Sequence, residues 1–217
     1  MHTVKSVGGQ PVVIRNLPVR IEEKRVLREL RIPRLEHIRE LKEEAVGRSI
    51  KKAIDRAYGL IQGQGCYRTF RILQVGADHV TIDASDRIFR GHNAVKLLAG
   101  CDYATLLATT IGPALEKRIE ELQGTEVADA YFLDVVGSWM ADYMADRVDA
   151  MIQSEIRRNG YNRTMRYSPG YGDWDLSVQP DLLSLVGADV IGLSCTETFI
   201  LQPRKSVTAV IGWERKS

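Results

Sequence analysis

From Phe132 to Ile152 the apolar residues Phe132, Val135, Val136, Trp139, Met140, Tyr143, Met144, Val148 and Ile152 recur at three- and four-residue intervals. That is the period of a helix with one buried face. With Thr125 as N-cap and Arg158 near its end, the segment predicts one helix spanning almost the whole width of a small domain. Such a helix needs a large apolar surface to lie on. The run from Ala104 to Ile111 has the composition of a buried strand. No stretch approaches the roughly 20 apolar residues that a membrane span requires, so the helix belongs to a packed core.

The other segments alternate between the two periods without a regular order. Residues 11–20 read as a short strand or extended arm, 21–31 as a short charged helix, and Pro33 as its stop. From Leu35 the apolar spacing through Ile38, Leu41, Ala45, Val46, Ile50, Ala53, Ile54 and Ala57 predicts a single helix. Gly59, Gly63 and Gly65 are read as its end and a following loop. Tyr67–Val75 and His79–Asp83 read as strands about a Gly76-Ala77-Asp78 turn. A short helix is expected at 94–99, another from Pro113 to about Leu122, a loop at 159–176, and a short helix at Leu182–Val186. Closing strands are expected at Val190–Ser194 and Ser206–Trp213. Helices and strands mixed in this way predict an α+β fold, with a mixed or antiparallel sheet flanked by helices. The expected organisation is an N-terminal arm and short helix over 1–33, followed by one domain over 34–217.

Composition narrows function by exclusion. Thirty Lys and Arg against 28 Asp and Glu leave a net charge of +2, interleaved rather than clustered, so no nucleic-acid field is indicated. Cys66, Cys101 and Cys195 form no CxxC pair. His2, His37, His79 and His92 show no metal-ligand spacing. Met1 to Gln10 lacks the apolar stretch of a signal peptide, and the expected compartment is the cytoplasm. There is neither a GxSxG elbow nor a GxxxxGK phosphate loop. Gly63-Gln64-Gly65 follows a helix rather than a strand, unlike a dinucleotide loop.

The stretch with chemical content is Arg166-Tyr167-Ser168-Pro169-Gly170-Tyr171-Gly172-Asp173-Trp174. An arginine fork can grip a carboxylate through two parallel hydrogen bonds. Gly170 and Gly172 let backbone approach a ligand, and aromatic faces attract a cation such as a sulfonium. The other reading is a tight Pro-Gly turn whose aromatics pack the core. Chemistry alone leaves both open.

Arg166 to Trp174 resembles the RxSPGYGDW signature of the activation domain of cobalamin-dependent methionine synthase, particularly in stand-alone relatives. Three further blocks resemble that family in the same order. They are Thr109-Thr110-Ile111-Gly112, then Leu133 to Ser138 with Ala141-Asp142-Tyr143, then Thr196 to Phe199 with Pro203 to Val207. The likeness runs from about residue 100 to the end. It implies a domain that binds S-adenosylmethionine and caps a corrinoid domain. There cobalt(II), formed by occasional oxidation, is reduced with one electron from a flavodoxin or ferredoxin and remethylated by S-adenosylmethionine. It further implies that Arg166 contacts the amino-acid end of the ligand, that backbone around Ser168 and Gly170 lines the site, and that Tyr171 approaches the corrin face. Asp142 falls where the family has glutamate, and is otherwise a solvated helix charge. Glu197 either orients the site or satisfies backbone donors. Arg204 and Lys205 either meet an acidic partner or solubilise the surface.

The chain departs from the full-length enzyme in lacking a match for the ligand-contacting aspartate of its N-terminal arm, and in having Ile211 and Gly212 where that enzyme has a tyrosine-phenylalanine pair. No DxHxxG segment supplies an axial histidine to cobalt, so cobalamin is expected on a partner protein. The resemblance therefore implies an accessory protein that reactivates a separate corrinoid methyltransferase. The alternative is a module that docks on a corrinoid protein without using S-adenosylmethionine.

Overall fold

The computed structural model describes residues 7–32, 34–41 and 44–216. In chain order the strands are β1 (Val12–Ile14), β2 (Gln64–Val75), β3 (His79–Ile82), β4 (Ser85–Arg90), β5 (Cys101–Thr110), β6 (Tyr161–Arg163), β7 (Ser194–Cys195), β8 (Leu201–Gln202) and β9 (Ser206–Arg215). The helices are α1 (Glu23–Glu29), α2 (Glu44–Leu60), α3 (His92–Leu98), α4 (Ala114–Gln123), α5 (Val127–Arg158) and α6 (Gln179–Val186). Seven strands form one sheet in the order β4-β3-β2-β5-β9-β6, with β1 beside the start of β2. Every ladder between these strands is antiparallel. This is the α+β architecture expected from the sequence.

The middle strands are covered on both faces, which is why they are almost continuously apolar. On β5, Ala104, Leu106 and Ala108 join a core formed with α3, α6, β3 and β4. Leu107, pointing the other way, joins Ala209, Ile211 and Trp213 of β9 beneath Val148, Ile152 and Ile156 of α5. The first half of α5 leaves the sheet. Its Leu133, Val136, Met140 and Met144 pack with side chains of α1, α2 and α4. Val26 and Leu27 of α1 are fully buried there, and β1 joins the sheet through β2.

Several sequence expectations need correction. The helix expected from Leu35 begins at Glu44. Ile38–Glu40 is a separate 3-10 turn, because Ile38 N–H donates to Glu23 Oε2 at 3.0 Å and Leu41 is extended. Pro33, the expected stop of the preceding helix, lies outside the described residues. Thr125 does not cap α5. Its N–H donates to the Leu122 carbonyl at 3.1 Å, closing α4, and the N-cap is Glu126 without a side-chain bond. Gly65 lies within β2 rather than a loop, and Gly63 just before it. A Cβ on Gly63 would stand 2.7 Å from Leu17 O and from Met144 Sδ, and one on Gly65 2.8 Å from Val148 Cγ2. These glycines mark where α5 crosses the strand. Most of Val190–Ser194 is not strand: Ala188–Ile191 is a 3-10 turn between Gly187 and Gly192, both left-handed. β6 lies inside the expected loop at 159–176, and β4 and β8 carry no clear period-two pattern in the sequence. Among the described residues no helix is long and apolar enough to cross a membrane.

Gly212 shows how tightly the sheet is packed against α3. A Cβ there would lie 2.5 Å from Cys101 Sγ, 2.9 Å from Thr164 Cγ2 and 3.0 Å from Leu98 Cδ2. Gly212→Ala is expected to destabilise the chain by about 1–3 kcal/mol through overpacking. Urea unfolding should show a lower midpoint at unchanged m-value. An unchanged midpoint would mean that this region yields freely.

Candidate functional site

The segment 166–174 enters and leaves the core under firm constraint. Tyr167 N–H donates to Val210 O at 3.0 Å and Val210 N–H returns a bond to Tyr167 O at 2.8 Å, fixing the loop's start to β9. At its far end Trp174 is buried. Its Nε1–H donates to Ile88 O at 2.8 Å and its ring stacks on Tyr167 at 5.8 Å. Gly170 N–H donates to Trp174 O at 2.7 Å, closing the turn. Asp173 accepts from the N–H groups of His92 and Asn93 at 2.6 and 3.1 Å, so the same loop caps α3. Gly172 is left-handed with φ 57°, and a Cβ there would collide with Asn93 Nδ2.

Both readings of this stretch therefore hold for different residues. Tyr167 and Trp174 pack as core aromatics, whereas Tyr171 is 67% exposed. The backbone of Tyr171 is nonetheless pinned, since its carbonyl accepts from Tyr167 OH at 2.6 Å and from Trp174 N–H at 3.2 Å. Ser168 supplies the carbonyl that accepts from Tyr171 N–H at 3.4 Å. Gly170 is exposed with φ 89°. The result is a rigid turn that offers backbone and one aromatic ring to solvent.

Arg166, at the start of the loop, turns to α5. Its Nη1 donates to Asp146 Oδ1 at 3.0 Å, while Asp146 Oδ2 lies 3.6 Å from Arg25 Nη1 on α1. One helical turn before Asp146 stands Asp142, which has neither hydrogen bond nor ion pair with another described side chain. It lines a cleft of about 380 Å³ between α5 and the start of β9, with Ser138, Ala141, Lys205, Ser206 and Val207. The residue as a whole is exposed, but the surrounding protein raises its carboxyl above the usual carboxylate range. The Arg166 cation opposes that shift, and the charges of Asp146 and Glu29 reinforce it. Lys205 is largely buried. Its Nζ donates to Ser138 Oγ at 2.7 Å and to the Asp134 carbonyl at 3.1 Å. Arg204 is exposed but paired with Glu116. Surface solubility thus does not account for Lys205.

Of the six residues singled out from sequence, Arg166, Ser168, Gly170 and Tyr171 share one turn, whereas Asp142 stands on α5 in a cleft that none of those four lines, within the electrostatic reach of Arg166 alone among them. Glu197 is exposed on the turn between β7 and β8. That turn is closed by Thr196, whose hydroxyl accepts from Ile200 N–H at 3.1 Å. Ile211 and Gly212 are wholly within the core and offer no side chain to the site. Asp146 was missed, although a signal exists. Arg163 and Arg166 are three apart, and so are Asp149 and Asp146 on α5. The pairs Arg163–Asp149 and Arg166–Asp146 run as an antiparallel ladder. Among the described residues no group of three or more His, Cys, Asp or Glu side chains is arranged to hold a metal ion.

No family model matches this sequence, and no curated protein matches it. Among solved structures, the crystal structure of the MetH reactivation domain bound to AdoHcy superposes with a TM-score of 0.71 at 17% sequence identity. The match covers 99% of this chain and 81% of that one. The chain thus has the α+β fold of that reactivation domain.

Proposed function

We propose that this protein binds S-adenosylmethionine between α5 and the 166–171 turn. On this reading it supports, in trans, the reductive methylation of a cobalt(II) corrinoid carried by a separate cobalamin-dependent methyltransferase such as methionine synthase. One observation carries the reading. Arg166 opens a rigid Pro-Gly turn that ends in an exposed tyrosine, and its cation acts on the unpaired carboxylate of Asp142, one helical turn from its partner Asp146. A zwitterionic amino-acid end fits such a pair: the guanidinium takes the carboxylate in a two-bond grip and the carboxylate takes the ammonium. The likeness to a reactivation domain bound to AdoHcy adds support.

The division of work follows from position. S-adenosylmethionine supplies the methyl group when bound. Arg166 and Asp142 orient it from one end, and the turn at Gly170 lets backbone approach closely. Tyr171 presents its ring to the partner and helps exclude water there. The corrinoid belongs to the partner, and the electron to a flavodoxin or ferredoxin. The proposal sets this work in the cytoplasm.

Calorimetric titration with S-adenosylmethionine is the direct test. Arg166→Ala should weaken binding by on the order of 2 kcal/mol, the worth of a charge-assisted grip. Binding to a corrinoid protein without any heat from S-adenosylmethionine would favour the docking-module alternative. In a mixture with a corrinoid methyltransferase, an electron donor and S-adenosylmethionine, methylcobalt(III) absorbance should appear only when this chain is present. Tyr171→Ala should slow its appearance while leaving the titration nearly unchanged. Equal rates with and without the chain would overturn the activation role.

Asp142 yields a second prediction, with opposite signs for stability and binding. Its raised carboxyl means that the folded chain holds the proton more tightly than the unfolded chain, so this group lowers stability as pH rises through the raised value. Asp142→Asn should therefore melt above wild type at neutral pH and converge with it near about pH 3, below the ordinary carboxylate range. The same variant should bind S-adenosylmethionine less well. A variant that melts at or below wild type at neutral pH would contradict the assignment.

A further inference from the structure

Asp146 stands between two arginines from distant parts of the chain. Oδ1 accepts from Arg166 Nη1 at 3.0 Å, and Oδ2 lies 3.6 Å from Arg25 Nη1. Arg25 is on α1, a helix anchored by the fully buried Val26 and Leu27. Glu29, one turn further along α1, is one of the neighbours whose charge acts on Asp142. Arg25 thus attracts Asp146 across the two helices, whereas Glu29 repels Asp142 one turn along.

This bridge is poorly placed to stabilise the fold. Asp146 and Arg25 are each 48% exposed at the side chain, and ion pairs of that kind contribute little. What it does is fix an orientation. A free arginine samples many rotamers, and a two-bond grip on a carboxylate needs the guanidinium plane held in one of them. Asp146 engages Nη1 alone, and no other described side chain hydrogen-bonds the remaining Arg166 nitrogens. They are left for a ligand.

We propose that Asp146 is a positioning residue that sets the Arg166 guanidinium for carboxylate recognition. Arg25 steadies Asp146 in turn, so that helix α1 is part of the binding site. The proposal rests on the S-adenosylmethionine reading above and assigns a role to residues that it leaves out. Through this relay of side chains the N-terminal segment reaches the binding site.

The test compares two probes, S-adenosylmethionine and its decarboxylated form, which has no carboxylate for Arg166. Asp146→Asn should raise the dissociation constant for S-adenosylmethionine roughly tenfold, the effect of about 1.4 kcal/mol, and leave that for the decarboxylated form unchanged. Asp146→Glu should recover most of the loss, and Arg25→Met should give a smaller loss with the same selectivity. Melting temperatures should stay close to wild type throughout. Asp146→Asn binding both probes as wild type does, or weakening both equally, would overturn the positioning role. An unchanged Arg25→Met would remove α1 from the site. Wild type binding neither probe would overturn the functional reading itself, and this proposal with it.

Discussion

The crossing of α5 over the sheet is the contact on which the rest of the molecule depends. Val148, Ile152 and Ile156 lie on Leu107, Ala209, Ile211 and Trp213, and Gly63 and Gly65 let the helix descend where any Cβ would hold it off. From this crossing the two ends of α5 do different work. The first half becomes one wall of a helical cluster with α1, α2 and α4. The stretch nearest the sheet turns its acidic edge, Asp142, Asp146 and Asp149, toward the arginines of the segment that follows it. A shift of α5 would therefore displace the site as well as the core.

The site joins two kinds of physics. The 166–174 turn is held by backbone bonds, a buried indole and the Asp173 carboxylate on the N–H groups that open α3. The α5 edge is held by charges at a half-exposed surface, where energies are small and geometry matters more. Asp142 is the exception along that edge. It has no fixed partner, and burial works against its ionised form. A folded protein gains nothing in stability from such a group, and groups of this kind concentrate where ligands bind.

Much of this was legible in the sequence, and the failures have causes. The long helix and the central strands could be read because their cores are large and their periods unbroken. α2 was drawn too long because Ile38 and Leu41 fit its period while belonging to a separate turn fixed by Glu23, a partner fifteen residues away. Gly65 read as loop because the reason for a glycine inside a strand is a helix that arrives from eighty residues later. At the site, the resemblance gathered Arg166, Ser168, Gly170 and Tyr171, which are neighbours in sequence, together with Asp142. It could not separate Tyr171, which is exposed, from Tyr167 and Trp174, which are core. Nor did it show that Lys205 is largely buried. Those distinctions depend on which face of β9 and α5 each residue meets, and one sequence does not state that.

The anchoring of the 166–174 turn at both ends has a kinetic consequence. A segment tied to β9 through Tyr167, to Ile88 through Trp174 and to α3 through Asp173 cannot swing open and shut. Whatever binds on it meets a surface already in its final shape, so little conformational entropy is lost on arrival. No loop opening has to precede departure either. Exchange at this surface is governed by encounter and by the strength of the contacts, with no gate in the segment itself.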